Sequence, residues 1–297
     1  MTVDTEAPGG ARLWLTGARP RTLGAAVAPV LVGTAAGSSA AGQLLVVRGV
    51  LALAVAVALQ VGVNYANDYS DGVRGADAER VGPLRLTASG LVPPAAVRRA
   101  ALGAFAVAAV VGLALSLLVE PWLILVGAAA IAAAALYTGG PRPYGYLGLG
   151  EAMVLVFFGF VATAGSAYVQ LGRVPAAAWW GSAAVGLLAA AVLATNNIRD
   201  RVGDARAGKR TLAVRLGERG GRLLYVVCVV GAFAAVVALG TLHPWALLGL
   251  VALPLAVPPV RLVLRGASGP ALIPALVATV RLELVAAALI ALGLWIS

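Results

Sequence analysis

The chain has only six aspartates, and five of them fall in two short stretches. The first reads NYANDYSDGVRGAD, Asn64 to Asp77. Asn64, Asp68 and Asp71 are spaced i, i+4, i+7, which is one face of a helix. The second reads NNIRDRVGD, Asn196 to Asp204, and places Asn196, Asp200 and Asp204 at i, i+4, i+8. The stretches lie 132 residues apart, and each offers an asparagine followed by two aspartates. Carboxylates stacked one turn apart repel, and polar groups at membrane depth are costly, so such ladders need cations. Hard oxygen donors favour Mg²⁺, which commonly shares its coordination with substrate phosphates. Local arginines (Arg74, Arg80, Arg199, Arg201) could instead pair with the acids one by one, but two matched ladders favour a shared cation site.

Basic residues interleave these acids: Arg80, Arg85, Arg199, Lys209 and Arg210. Carboxylates, metal ions and fixed cations beside apolar helices suit a diphosphate carrying a greasy tail. The cations stabilise the leaving group and the apolar walls hold the chain. Cys228 is the single cysteine and His243 the single histidine. No disulfide framework or cysteine zinc site can be built within one chain, and His243 reads as a loop residue beside Pro244.

The elements that must position these residues are membrane helices. Of the 297 residues 61% are apolar and 11% charged, and mean hydropathy is +0.95. These values exclude an ordinary soluble enzyme and a disordered chain. Uncharged runs cover Thr22–Val47, Gly49–Asn67, Ala100–Val119, Pro121–Pro141, Ala152–Gly172, Val174–Ile198 and Leu223–Val260, the last divided by His243-Pro244. Gly266–Val280 reads as a short interfacial segment and Leu284–Ser297 as a ninth helix, because Arg281 and Glu283 interrupt the run. The expectation is an all-α, multi-pass bundle of nine helices in one domain, 1–297, with residues 1–20 as a cytoplasmic tail. Alternating loops put 20 of the 22 basic residues on one side, leaving only Arg48 and Arg173 on the other. That side is cytoplasmic by the positive-inside rule and holds the cavity, and the C-terminus is external. The net charge of +10 is then an attraction to anionic lipid rather than to nucleic acid.

With these features the chain resembles the UbiA-type intramembrane prenyltransferases. The residues that carry the likeness are Asn67-Asp68-x-x-Asp71 and Asp200-x-x-x-Asp204. Gly75 stands where the common pattern has a further acid, and the next acid is Asp77. That departure resembles the menaquinone branch of the family. So do ARPRTL (18–23), RVGPLR (80–85), YTGGPRPYGYLGLGE (137–151) with Phe157-Phe158-Gly159, and GKRTLAVRLG (208–217).

The resemblance implies transfer of a polyprenyl group from polyprenyl diphosphate to a dihydroxynaphthoate, with loss of CO₂, in the cell membrane. It implies Asp68, Asp71, Asp200 and Asp204 as catalytic acids on Mg²⁺, with Asp77 a further metal candidate. Asn64, Asn67, Asn196 and Asn197 complete or orient that shell. Lys209, a catalytic residue beside those acids, and Arg210 face the diphosphate. Arg85 and Arg142 are candidates for either the diphosphate or the ring carboxylate. Tyr137, Tyr144 and Tyr146 line the ring site or form an interfacial belt. A 4-hydroxybenzoate or homogentisate acceptor is the nearest alternative. A transporter is the alternative from another class, and it should carry acids near the midplane rather than at one face.

Overall fold

The computed structural model describes residues 9–75 and 84–297; Asp4, Asp77 and Arg80 lie outside the described residues. Ten helices follow one another: α1 (Gly10–Ala18), α2 (Gly24–Ala41), α3 (Val46–Val73), α4 (Pro94–Val119), α5 (Leu123–Leu136), α6 (Gly150–Leu171), α7 (Ala176–Arg206), α8 (Leu212–Gly240), α9 (Pro244–Leu264) and α10 (Gly269–Trp295). There is no strand among the described residues. Eight of these helices are long and apolar enough to cross a membrane. The apolar α5 has 14 residues, short of the roughly 20 a full crossing takes. The protein is a multi-pass membrane protein.

Two expectations about the chain ends change. The run from Gly266 is not an interfacial segment followed by a helix, because α10 is continuous through Arg281 and Glu283. Residues two positions apart on a helix are turned by about 200°, so Arg281 points outward while Glu283 is fully buried in the bundle. The charges therefore occupy different faces and break nothing. The expected tail contains α1, whose Leu13 and Trp14 pack on α3 beside Tyr65, with the Tyr65 hydroxyl donating to the Trp14 carbonyl at 2.9 Å.

Close helix approach is written in glycine. A Cβ at Gly33 or Gly37 of α2 would run into the backbone carbonyls of Thr163 and Ala167 on α6. Gly159 of α6 and Gly186 of α7 face each other in the same way, with a Cβ on Gly186 only 2.6 Å from the Gly159 Cα. The helices meet backbone to backbone, which favours dispersion contacts between membrane helices where no hydrophobic drive exists. Opposite Gly186, α6 winds as a π-helix over Leu155–Val161.

α3 and α7 both carry their acidic stretches in their last turns, and both end at the same pole of the bundle. Gly269 and Pro270, at the start of α10, line the cavity there. The other end of α10 lies at the opposite pole, where the Trp295 Nε1 donates to the Ser38 Oγ near the end of α2, at 2.8 Å. Arg48 works at that far pole too, donating to the carbonyls of Leu118 and Val169 at the ends of α4 and α6. The two termini of the helical body thus sit at opposite poles. A reporter fused at Met1 is expected on the cytoplasmic face and one at Ser297 on the external face. Finding both on the same face would contradict the charge-based orientation and the pole assignment together.

Candidate active site

The α3 ladder does not present its three rungs to one place. Asn64 donates to the Ala18 carbonyl at 2.8 Å and to the Thr22 hydroxyl at 3.3 Å, so it fastens the turn between α1 and α2. Asp68 is fully buried, and its two oxygens accept the backbone N–H groups of Leu86 and Thr87 at 2.9 and 2.8 Å. It anchors the segment that returns after α3 and lines neither of the two cavities described below. Only Asp71 of this face reaches the polar cavity, together with Asn67 from the neighbouring face. The Asn67 carbonyl oxygen accepts the Thr138 hydroxyl at 2.8 Å.

The α7 ladder is different, because Asn196, Asp200 and Asp204 all line the polar cavity, as does Asn197. Arg199 grips Asp200 with two contacts of 2.7 Å and reaches the Asn196 carbonyl oxygen at 2.7 Å. Asn197 donates to the buried Glu151 at 2.9 Å, which fixes its amide from the α6 side.

Lys209 joins the two ladders. It follows α7 in a turn held by its own N–H on the Asp204 carbonyl, at 2.8 Å. Its Nζ sits 2.9 Å from Asp71 Oδ1 and 3.7 Å from Asp204 Oδ1. It also lies 4.7 Å above the Tyr146 ring, a cation–π contact. The Tyr146 hydroxyl donates to the same Asp71 oxygen at 2.7 Å. Burial first, and the Asp71 charge second, push the Tyr146 phenol well above its ordinary value. Burial raises Tyr137 in the same direction, with Glu151 and then Asp71 adding, and it moves Tyr144 up to about 12. All three phenols stay protonated at neutral pH. Tyr144 and Tyr146 donate hydrogen bonds, to the Ala133 carbonyl and to Asp71, and none of the three is a base.

The polar cavity has a volume of about 460 Å³ and contains the cations Arg19, Arg85, Arg199, Arg206 and Lys209. A second cavity of about 330 Å³ runs into the bundle between α2, α3, α4, α5, α6 and α7. Its wall is mostly apolar, including Leu59, Leu115, Ala130, Phe157, Phe158 and Leu193. Arg19, Asn67, Tyr137 and Asn196 line both cavities, so these four residues form the seam between them.

Other expected residues fall elsewhere. Asn64 lines the apolar cavity rather than the polar one. Arg142 and Arg210 are exposed and line neither; Arg210 takes part through its backbone, its N–H donating to the Tyr146 carbonyl at 2.9 Å. Asp77 is outside the described residues. Sequence reading did not single out Arg19, Arg206, Thr138 or Thr211 as cavity residues. Arg19 carried a signal in standing before Pro20, a position biased against a right-handed helical backbone. It adopts φ 54°, ψ 66°, the sole non-glycine positive φ among the described residues. That conformation costs roughly 1–2 kcal/mol for an L-residue.

Asp71, Asp200, Asp204 and the amides of Asn67, Asn196 and Asn197 supply an all-oxygen donor set on one cavity, which fits a hard divalent cation. Among the described residues no three acidic, histidine or cysteine side chains already converge as a closed metal cage. The donor set therefore suits a cation that takes its remaining ligands from a bound phosphate.

The anchoring of Asp68 has a direct consequence. Asp68→Asn leaves one buried backbone N–H facing an amide NH₂, at a cost of about 1–3 kcal/mol. A lower thermal midpoint in detergent is expected. An unchanged midpoint would show that the Leu86–Thr87 anchor carries no weight.

Comparison with known proteins agrees with this architecture. The solved structure of a UbiA homologue from Archaeoglobus fulgidus superposes with a TM-score of 0.64 at 17% identity, covering 96% of this chain and 99% of that one. The structure of a UbiA homologue from Archaeoglobus fulgidus bound to GPP and Mg²⁺ superposes with a TM-score of 0.61 at 15% identity, covering 93% and 99%. A Mycobacterium tuberculosis protein named 1,4-dihydroxy-2-naphthoate octaprenyltransferase is 52% identical over 268 residues, 89% of this chain and 90% of that protein. An Escherichia coli protein of the same name is 39% identical over 294 residues, 96% of this chain and 95% of that protein. The model of the UbiA prenyltransferase family matches residues 26–271. With that match, and with half its residues shared with a relative along nine-tenths of its length, the chain belongs to the UbiA prenyltransferase family.

Proposed function

We propose that the protein transfers a polyprenyl group from polyprenyl diphosphate to 1,4-dihydroxy-2-naphthoate, releasing diphosphate and CO₂ and giving demethylmenaquinol, the reduced form of demethylmenaquinone. The observation that carries this reading is the seam, where an acid- and cation-lined cavity adjoins an apolar one and shares four lining residues with it. An amphipathic diphosphate fits across it, with its charged head among Arg85, Lys209 and the acids and its chain along Leu59, Leu115 and Phe157. The acceptor is the one named in the M. tuberculosis and E. coli relatives. Mg²⁺ bound by Asp71, Asp200 and Asp204, with Asp77 a further candidate ligand, would neutralise charge on the departing diphosphate.

The chain's own residues prepare the reaction. Lys209 and Arg85 supply fixed positive charge where the leaving group develops negative charge, and they need no reorganisation. The apolar wall excludes water from the allylic centre. The allylic C–O bond breaks and its electron pair leaves with the diphosphate. The ring carbon bearing the carboxylate gives its π pair to the allylic carbon, and the neighbouring C–OH becomes a carbonyl as its proton leaves. The resulting β-keto acid loses CO₂, the electron pair returns to the ring, and the oxygen regains a proton. No side-chain base has to remove a ring proton, which agrees with phenols at Tyr137, Tyr144 and Tyr146 that stay protonated.

Asp68 and Asn64 act at one remove in this account: they hold the Arg85–Thr87 segment and the Arg19 turn. The protein works as one domain, 1–297, in the cell membrane, with the N-terminus and the polar pole in the cytoplasm. Purified protein with Mg²⁺, a polyprenyl diphosphate and carboxyl-labelled dihydroxynaphthoate is expected to release label as CO₂ in step with diphosphate. Chelation with EDTA should stop turnover and added Mg²⁺ should restore it. Preferred use of 4-hydroxybenzoate, or full turnover in chelator, would overturn the acceptor or the metal assignment respectively.

A further inference from the structure

Arg19 combines several unusual properties. Its left-handed backbone is held from three sides: its N–H donates to the Thr16 carbonyl at 3.2 Å, its carbonyl accepts the Thr22 N–H and hydroxyl at 2.9 Å each, and Asn64 pins the flanking Ala18 carbonyl. Such over-determined strain at a cavity wall points to a side chain that must be aimed. The guanidinium Nη2 of Arg19 is buried and has no hydrogen-bond partner, although guanidinium donors removed from water are normally satisfied. Among the described residues Arg19 is also the sole cation that lines both cavities.

The other lining cations stand inside the polar cavity with the acids, whereas Arg19 stands at the seam. The allylic carbon of a bound prenyl diphosphate must pass through that seam, because it links the charged head to the greasy tail. An anion held by Arg19 is therefore next to the carbon under attack. In the proposed reaction the carboxylate attached to the attacked ring carbon is that anion. Asn67 and Asn196 supply amides at the seam for the ring hydroxyls, and Tyr137 supplies an aromatic face.

We infer that Arg19 binds the carboxylate of the aromatic acceptor and sets the ring carbon against the allylic centre. The inference rests on the acceptor assigned above. It makes Arg19 the residue that selects a carboxylated ring, and it gives Asn64 the task of aiming it. The contact is a charge-assisted hydrogen bond in a site with little water.

Arg19→Asn is the discriminating variant, because asparagine tolerates the left-handed conformation better than arginine does. Its thermal midpoint should be no lower than that of the parent, so a change in binding is not misfolding. Titration of the detergent-solubilised protein with dihydroxynaphthoate, followed by the ligand's fluorescence, should show affinity falling roughly 10- to 100-fold. Affinity for 1,4-naphthalenediol, which lacks the carboxylate, should stay within twofold. In turnover, KM for dihydroxynaphthoate should rise by a similar factor while KM for the prenyl diphosphate holds, and Arg19→Lys should restore part of the loss. Unchanged naphthoate affinity in a folded Arg19→Asn protein, or a rise confined to the diphosphate KM, overturns the inference. If the parent protein binds dihydroxynaphthoate through Arg19 but does not prenylate it, the inference stands and the proposed reaction falls.

Discussion

Three carboxylates from helices far apart in sequence share one cavity at the pole of a membrane bundle, and their mutual repulsion must be met there. Lys209 meets it between the ladders, lying between Asp71 of α3 and Asp204 of α7. Arg199 meets it within the second ladder by clasping Asp200. The three side chains are largely withdrawn from the surface, so each unpaired carboxylate would carry a desolvation cost. The same balance makes the cavity receptive. A site with matched acids and cations can take a diphosphate on its cations and a divalent cation on its acids together, with little change in net charge.

The two acidic helices contribute unequally. α7 offers all three polar rungs to the cavity, while α3 uses two of its rungs as fasteners. Asn64 holds the Arg19 turn, Asp68 holds the segment after Arg85, and Ser70 with Arg74 holds the Thr138 carbonyl. Each fastened segment delivers a residue that lines the polar cavity: Arg19, Arg85 and Thr138. α3 thus acts as the spine on which the cavity wall is hung, and a loss there is felt through position rather than through contact with substrate. The apolar cavity below needs no such bracing, because its walls are packed helices that approach at Gly33, Gly37, Gly159 and Gly186.

Much of this was legible in the sequence. The uncharged runs marked most of the membrane helices, and the i, i+4 spacing placed both ladders on helix faces near one pole. What periodicity cannot supply is the partner that each polar rung meets. Asp68 and Asp71 look equivalent on a helical wheel, yet Asp68 faces the backbone of Leu86 and Thr87, which a turn outside the helix brings back. Arg142 and Arg210 stand in motifs that line the site, but their loops turn the side chains outward and leave Gly145, Tyr146 and Lys209 facing in. Arg19 lay in a segment read as a tail, and its importance came from a backbone conformation that composition does not reveal. The break expected at Arg281 failed because one buried and one outward charge fit on different faces of one helix.

The central claim is that the acids of α3 and α7 form one functional unit through Lys209. The most direct test is kcat/KM for Asp71→Asn, Asp204→Asn and the double variant, each checked for folding. If the acids serve one leaving group, each single change should lower kcat/KM by roughly 10²–10³, the effect of removing one strong electrostatic contribution. The double variant should then fall no more than a few-fold below the weaker single, since groups that act as a unit are far from additive. Losses that multiply to about 10⁴–10⁶ in the double variant would contradict the shared site and make the two helices independent contributors.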